Sequence, residues 1–295
     1  MWYLVFYFFI IFNFNSQIYG FRESFTSPTD FSMGGAGFLF SSFNSQIKNP
    51  ANHNKNRIFT TSIVKYPAGI NSQSLGFNLP LNNSFFSSSL NYLSYGVFEG
   101  YNEYADFTGV YKSYETMAEV CLSKKIKNYP MFVGSSLSGQ SSNFNNLKIH
   151  SLYSSLGCIW YFKNINNAIG VSINQLGLGM VNGKIFYKAP EFVLSGSKKL
   201  NYLPNVIYVD LLFGEKNKKE VFMGTFLNFN KSLKFMIGTS SRKIDQNTSQ
   251  DLLKSILGAT GFGFVYDTNQ VMIQYGIYYY GVGLGISGLN ISVNF

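Results

Sequence analysis

Charged residues are scarce in this chain of 295 residues. Asp, Glu, Lys and Arg make up 13% of it, whereas an ordinary soluble domain carries about 25%. Long hydrophobic runs are also lacking beyond the amino terminus, since no later window approaches the roughly eighteen consecutive apolar residues of a membrane-spanning helix. The mean hydropathy of +0.03 is too low for a bundle of such helices. An ordinary cytosolic protein and a helical membrane protein are therefore both poor matches.

Side chains suited to catalysis or metal binding are few as well. The two histidines, His53 and His150, are each isolated from any Ser, Cys or carboxylate arrangement of the triad type, and each is expected to be a turn or loop residue. The two cysteines, Cys121 and Cys158, lie in different strand-like segments without metal-ligand spacing. We therefore expect no enzymatic activity, no catalytic or metal site and no bound cofactor.

Aromatic residues and glycine are abundant instead, with 30 Phe, 21 Tyr and 28 Gly. A β-barrel reconciles these numbers with the neutral hydropathy, because only every second residue of its strands faces lipid. The net charge of +9 invites a nucleic-acid interpretation. The Lys residues are scattered over predicted loops and strand ends, however, and scattered cations do not form a nucleic-acid footprint. No nucleic-acid partner is expected.

The end of the chain shows the strand periodicity most clearly. Leu289, Ile291, Val293 and Phe295 alternate with Asn, Ser and Asn, which is the period of two that a strand with two different faces requires. The preceding segments alternate in the same way. A terminal Phe on an amphipathic last strand resembles the signal by which bacterial outer-membrane proteins are passed to the barrel-assembly machinery. Phe295 is therefore the candidate assembly signal.

Similar segments recur along the chain with turn residues between them, and together they predict an all-β, transmembrane antiparallel β-barrel of about fourteen strands. An even number brings both ends of the barrel domain, residues 57–295, to the periplasmic side. The predicted strands are Arg57–Lys65, Ser74–Leu81, Phe85–Tyr95, Glu115–Ile126, Met131–Gln140, Ile149–Phe162, Ala168–Leu176, Glu191–Leu200, Val206–Phe213, Val221–Phe229, Leu233–Ser241, Gly261–Tyr266, Val271–Tyr280 and Leu289–Phe295.

The longer connections between these strands are the candidate extracellular loops. The outward faces carry aliphatic and aromatic side chains, and the inward faces carry mostly Ser, Gly, Asn, Gln and Thr, with few carboxylates. Such a lumen does not match a general ion-selective porin. The predicted loops are Val97–Tyr114, Ser141–Lys148, Gly177–Ala189, Gly214–Glu220 and Lys243–Lys254.

Two segments precede the barrel. Residues 1–20 begin with an apolar run from Met1 to Phe14 and predict a signal peptide, although no cation precedes the run, and a retained anchor is the alternative. Residues 21–56 break the strand period and predict a compact N-terminal segment that plugs the lumen, because dense glycines permit tight backbone turns. A disordered leader is the alternative there. The residues of the predicted plug motif are Gly34, Gly35, Gly37, Asn49 and Pro50.

The order of several short motifs resembles one family. Gly34-Gly-Ala-Gly37 followed by Asn49-Pro-Ala51 is similar to the amino-terminal signature of the PorV/PorQ outer-membrane barrels, which are relatives of the FadL-type fatty-acid channels. Leu90-Asn-Tyr-Leu-Ser-Tyr-Gly96 and Asn174-Gln-Leu-Gly177 resemble the PorQ branch in particular. Ser41, Ser42, Asn44 and Ser45 depart from the acidic residues usual in the family before Asn-Pro.

The resemblance implies a non-enzymatic role in the outer membrane as part of the type IX secretion system. A PorQ-like barrel would hold a surface protein of the PorZ type in an attachment complex with PorU and PorV, and its other partners would be outer-membrane lipid and the barrel-assembly machinery. One alternative is a FadL-type channel that admits hydrophobic small molecules past the plug. Another is a purely structural barrel.

Overall fold

The computed structural model describes residues 25–40, 48–145, 147–162, 167–215, 218–245, 258–280 and 284–295. These residues are almost entirely β-strand. Their strands, in chain order, are β1 (Ile58–Lys65), β2 (Asn71–Leu81), β3 (Ser84–Tyr101), β4 (Phe107–Lys125), β5 (Met131–Phe144), β6 (Leu147–Tyr161), β7 (Ala168–Val181), β8 (Lys184–Lys188), β9 (Glu191–Lys199), β10 (Asn205–Phe213), β11 (Lys219–Asn228), β12 (Leu233–Ser240), β13 (Thr260–Asp267), β14 (Val271–Tyr279) and β15 (Gly285–Asn294).

The strands form one closed antiparallel sheet. Apart from β8 and β9, each strand pairs with its neighbours in the chain. The sheet closes because β1 pairs with β15, with Ile58 opposite Asn294 and Lys65 opposite Ser287. β8 and β9 both pair with β7 in a single register, so they occupy one place in the ring. The predicted all-β, antiparallel barrel of fourteen strands is confirmed.

The break between β8 and β9 has a local cause. Pro190 lacks the backbone N–H that a strand needs for its ladder, so the strand is interrupted at this point. Opposite the break, Gln175 has a φ of 63° and the pairing of β6 with β7 shifts by one residue. A partly buried hydrogen bond of 2.9 Å from the Gln175 amide to the Glu191 carboxylate joins β7 to the start of β9 beside the break.

Alternate residues of each strand point to opposite faces of the barrel wall. The outward rows are apolar and exposed, as in Phe59 and Ile63 of β1 and Leu289 and Ile291 of β15. The inward rows are buried and largely polar. A closed barrel with an apolar outer surface satisfies every backbone hydrogen bond inside lipid, and the protein therefore lies in the outer membrane.

The two ends of the barrel differ. The end that carries Ile58 and Asn294 has short turns, for example Asn82–Asn83 between β2 and β3, which are typical of the periplasmic side. At the opposite end β3 and β4 run for 18 and 19 residues, about twice the length that a tilted strand needs to cross the membrane. Several hairpins therefore project on the extracellular side.

The projecting hairpins show that three of the predicted loops are mostly strand. Most of Val97–Tyr114, Ser141–Lys148 and Gly177–Ala189, predicted as loops, continues the strands β3 to β8. Cross-strand aromatic pairs hold the longest hairpin together, including Phe98 against Tyr111 at 5.5 Å between ring centres.

Two further predicted segments fall wholly or partly outside the described residues. In the predicted loop Gly214–Glu220, β11 already begins at Lys219, and residues 216–217 are not described. Most of the predicted loop Lys243–Lys254 is likewise outside the described ranges.

The helices are short. α1 (Pro28–Ser32) begins after Ser27, whose hydroxyl accepts a hydrogen bond from the backbone N–H of Asp30, and has Pro28 in its first turn. Pro67–Gly69 forms a single 3₁₀ turn, and α2 (Arg242–Asp245) follows β12. Within the ranges given above, no helix is long and apolar enough to cross a membrane.

Most of the described residues before β1 lie against the inner face of the barrel. The predicted signal peptide, residues 1–20, is outside the described residues, as are residues 21–24 and 41–47 of the predicted plug. The remaining parts, residues 25–40 and 48–56, are called the N-terminal segment below. Its residues up to Asn52 are mostly buried, and α1 contacts β12, β13, β14 and β15.

Candidate functional site

Glycines on the inner wall make room for α1. A methyl group on Gly261 would overlap the carbonyl oxygen of Phe31, and one on Gly238 would overlap Met33. Because any larger residue would push the helix away from the wall, these glycines fix how closely it approaches. The inward glycines that adjoin the N-terminal segment are Gly134, Gly157, Gly170, Gly224, Gly238, Gly261, Gly263, Gly276 and Gly288.

The glycines of the predicted plug motif follow α1 directly. Gly34, Gly35 and Gly37 have φ angles of 64°, 93° and 103°, a left-handed region in which a side chain is strained. A side chain on Gly34 would also meet the backbone of Thr239 on β12. The structure therefore explains the glycines through the turn that ends α1 and its fit against the wall, whereas their role as a plug stays a prediction.

A buried carboxylate on β10 holds this turn. One oxygen of Asp210, Oδ2, accepts hydrogen bonds from the backbone N–H of Gly37 at 2.8 Å and of Phe38 at 3.4 Å. Asp210 is fully buried and faces inward between apolar neighbours. Through these two hydrogen bonds Asp210 fixes the N-terminal segment to the wall.

Lys48 links two parts of the N-terminal segment. The ammonium of Lys48 lies 3.3 Å from the Asp30 carboxylate and donates hydrogen bonds to the carbonyl oxygens of Gly35 and Ala36 at 2.8 and 3.0 Å. It also lies 5.4 Å from the ring centre of Phe38. Lys48 thus joins the part of the segment after residue 47 to the turn that follows α1.

Asn49 and Pro50 contact the opposite side of the wall. The side-chain oxygen of Asn49 accepts a hydrogen bond of 3.0 Å from the backbone N–H of Ala51 and adjoins Gly157 of β6. The carbonyl oxygen of Pro50 accepts a hydrogen bond from the Cys121 thiol at 3.3 Å. The structure therefore brings the two halves of the predicted motif to opposite walls of one lumen.

Apolar packing joins the N-terminal segment to the wall. Phe38 and Leu39 belong to one buried cluster with inward residues of β3, β5 to β7 and β9 to β13. At the periplasmic end of this cluster, the His53 ring stacks on Phe132 at 3.7 Å and nearly parallel. The wall-lining members of the cluster are Phe85, Phe132, Ile159, Tyr161, Ala168, Val193, Val206, Tyr208, Leu212, Phe222, Phe226, Met236 and Val265.

A pocket of about 540 Å³ opens beside His53 at the periplasmic end. Phe85, Phe132 and Tyr161 form its aromatic lining, and Lys55 and Lys125 also line it. Burial, together with the positive charge of Lys55, lowers the pKa of His53 to about 4. His53 is therefore neutral at pH 7 and contributes a flat ring to this aromatic pocket.

Towards the extracellular end the lumen wall is polar. The buried Glu115 carboxylate accepts hydrogen bonds from the Tyr95 hydroxyl at 2.8 Å and from the Gln140 amide at 2.7 Å. Glu119, four residues further along β4, is also buried and faces inward. Sequence reasoning expected few inward carboxylates and singled out none of these. The sequence offered one indication of them: each carboxylate falls at a position of an alternating strand that faces the lumen.

The other residues named from the sequence lie in separate parts of the barrel. Phe295 lies at the periplasmic rim, where its ring stacks on Phe77 at 5.7 Å. His150, expected in a turn or loop, lies within β6 opposite Ser141, because the alternation continues through it. Neither Cys121 nor Cys158 forms a disulfide. Among the described residues, no group of three or more His, Cys, Asp or Glu side chains could hold a metal ion.

Solved structures share this architecture. The toluene transporter TodX of P. putida aligns with a TM-score of 0.56 at 12% identity, over 91% of this chain and 98% of that one. The fold is FadL-like. A FadL homologue of Pseudomonas aeruginosa aligns with a TM-score of 0.51 at 10% identity, over 91% and 97% of the two chains. No protein-family model matches the chain, and no curated protein does.

Proposed function

We propose that this outer-membrane barrel is a channel that admits hydrophobic small molecules past its N-terminal segment. The observation that carries the proposal is the aromatic pocket between His53 and the wall residues Phe85, Phe132 and Tyr161. Such a lining suits an apolar solute, because burying apolar surface contributes about 25 cal/mol per Å². The FadL-like fold, shared with a toluene transporter, supports the same role.

The N-terminal segment is the proposed plug of this channel. It is held by separate hydrogen bonds, such as Gly37 to Asp210 and Thr29 to Gln274, the latter at 2.8 Å. Contacts of this kind release one at a time, so the segment can shift without opening the barrel wall. The protein would then act without catalysis and without a cofactor.

The test compares two tracers in cells that express the full chain in an outer membrane lacking other channels of this kind. Uptake of a monoaromatic hydrocarbon should rise severalfold over cells that carry the empty vector, whereas uptake of a sugar of similar size should stay at the background rate. Equal uptake of the hydrocarbon in both strains, with folded barrel present in the membrane, would reject the channel.

A charge placed in the pocket supplies the matched control. Phe132→Asp should lower hydrocarbon uptake, because the carboxylate carries water into the aromatic lining. Phe235→Asp changes the same residue type on the outward, lipid-facing row of β12 and leaves the lumen lining intact. If both variants fold and transport alike, the pocket does not lie on the route.

The second candidate is the PorQ-like role in the type IX secretion system. The observation that favours it is the projecting β3–β4 hairpin, where Val97, Tyr101, Phe107 and Val110 are each more than half exposed. Exposed apolar groups beyond the membrane are typical of a protein-binding surface. The partner would be a surface protein of the PorZ type, beside PorU and PorV.

Purification from a native host with an active secretion system tests this role. The barrel should retain a large surface protein, and replacing Tyr101 and Phe107 by Ser should release it. Deletion of the gene should leave cargo unanchored while uptake of hydrophobic solutes is unchanged. A barrel that purifies alone from such cells, with normal anchoring in the deletion strain, would exclude the attachment role.

A further inference from the structure

The two rims of the barrel carry different charge. At the extracellular end, cations are interspersed with carboxylates such as Glu99, Asp106 and Glu220. At the periplasmic end, Asp267 is the one side-chain carboxylate within the described ranges, and it is paired with Lys234 at 2.9 Å. Among the described residues, the other cations of that end are Lys55, Arg57, Lys124, Lys125, Lys127, Lys198, Lys199 and Lys231.

Three of these lysines converge on one groove. Lys124 and Lys125 end β4, and Lys127 lies in the turn that follows. With the β2–β3 turn they line a groove of about 840 Å³ on the outside of the wall, and Lys125, at the rim, also lines the pocket beside His53. No carboxylate of the described residues forms an ion pair with any of the three. The groove therefore concentrates positive charge that no described carboxylate neutralises.

The groove continues onto the lipid-facing surface. Leu81 and Leu122 belong to the outward rows of β2 and β4, are each about half exposed, and line the groove together with the lysines. Between them, Ser84 of β3 pairs with Leu81 on one side and with Lys124 on the other. A ligand that fills the groove thus meets cations at the rim and apolar side chains below it.

Aromatic residues fix the height of this groove in the membrane. Tyr129 and Trp160 lie on the outer surface beside it, with ring centres 6.4 Å apart. Tyr and Trp mark the level of the lipid headgroups in membrane barrels. The lysines therefore lie at the headgroups of the periplasmic leaflet, and Leu81 and Leu122 lie at the start of the acyl chains.

We propose that this groove is a binding site for one anionic phospholipid of the periplasmic leaflet, with its phosphate among Lys124, Lys125 and Lys127 and an acyl chain along Leu81 and Leu122. Clustered lysines at a membrane surface attract anionic headgroups. Lipid is the occupant because the apolar half of the groove would gain nothing from a free phosphate ion.

The test measures lipid binding to the full chain in detergent by native mass spectrometry. Phosphatidylglycerol should bind in preference to phosphatidylethanolamine, which has no net charge. The triple variant K124Q/K125Q/K127Q should bind phosphatidylglycerol about tenfold or more weakly. The control K198Q/K199Q removes charge from the same rim outside the groove and should retain wild-type binding.

The remaining outcomes separate lipid from other anions. Inorganic phosphate at millimolar concentration should leave phosphatidylglycerol bound, and displacement by it would assign the groove to a free anion. If the triple variant and the control lose phosphatidylglycerol binding equally, the loss follows from the total positive charge of the rim, and the proposed site is wrong. Electrophoretic mobility with and without heating establishes that each variant is a folded barrel.

Discussion

The Asp210 carboxylate accepts a hydrogen bond of 2.8 Å from the backbone N–H of Gly37, which lies 173 residues earlier in the chain. Asp210→Ala would leave this buried N–H and that of Phe38 without their acceptor, at a cost of about 1–3 kcal/mol. We expect the N-terminal segment to detach more often. Single-channel recordings should then show a larger and noisier conductance than the wild type.

Asp210→Asn is the matched control for this contact. It keeps a side-chain oxygen that can accept the same hydrogen bonds while the negative charge is lost. Its conductance should lie much nearer to that of the wild type. If Asp210→Ala folds and its conductance equals the wild-type value, the carboxylate does not hold the segment.

Gly261 on β13 should not tolerate even a methyl group. Gly261→Ala places a carbon within overlap distance of the Phe31 carbonyl oxygen, so α1 must move or the strand must bend. Overpacking of this kind costs about 1–3 kcal/mol. The urea midpoint of folding into lipid vesicles should fall accordingly. Gly139→Ala, in open space on β5, should change stability by less than about 0.5 kcal/mol.

His53 makes the docking of the N-terminal segment sensitive to pH. Its pKa is about 4 when docked, against an ordinary value of 6.5. The displaced segment therefore binds a proton first, and docking weakens as the pH falls from 6.5 towards 4. Hydrogen exchange of residues 49–56 should lose about 1–2 kcal/mol of protection between pH 7 and pH 5. His53→Phe keeps a stacked ring without a titrating group and should abolish this loss; an unchanged loss would point to another group.

Phe295 is predicted to act during assembly. Phe295→Ala removes the terminal aromatic residue and its stacking on Phe77, so less barrel should reach the outer membrane. The fraction of heat-modifiable barrel in outer-membrane fractions measures this. Tyr202→Ala serves as the control, because Tyr202 lies at the same end and is 98% exposed. Equal yields of both variants would remove Phe295 as the signal.

The fold could be predicted from sequence because the period of two is a local property. Leu289 to Phe295 alternates without any knowledge of its partner strands, and so do the other spanning segments. The projecting β3–β4 hairpin was missed because Gly96, Gly100 and Gly109 are typical of loops. Pairing across the hairpin outweighs that composition: Gly96 opposes Ser113 at a bulge, and Phe98 stacks on Tyr111.

The site was less predictable, because its contacts join distant parts of the chain. The glycines near residue 35 and the Asn-Pro pair could be recognised as unusual for a strand. Asp210, by contrast, is a single carboxylate among apolar residues, and its partner is identified only once the barrel has closed. The same holds for Glu115, whose hydrogen bonds come from Tyr95 and Gln140 on the neighbouring strands.

α1 packs against the last strands of the barrel, and this packing restricts the order of folding. Ser32 donates a hydrogen bond to the carbonyl oxygen of Phe262, 230 residues later, and Thr29 donates to Gln274, 245 residues later. These partners belong to the last strands of the sheet, so the helix cannot dock until those strands have formed. Because β1 must also wait for β15, both ends of the barrel domain and the segment before it come together in one late step. A chain stopped before β13 would therefore present an open sheet that lacks three of the four strands on which α1 packs.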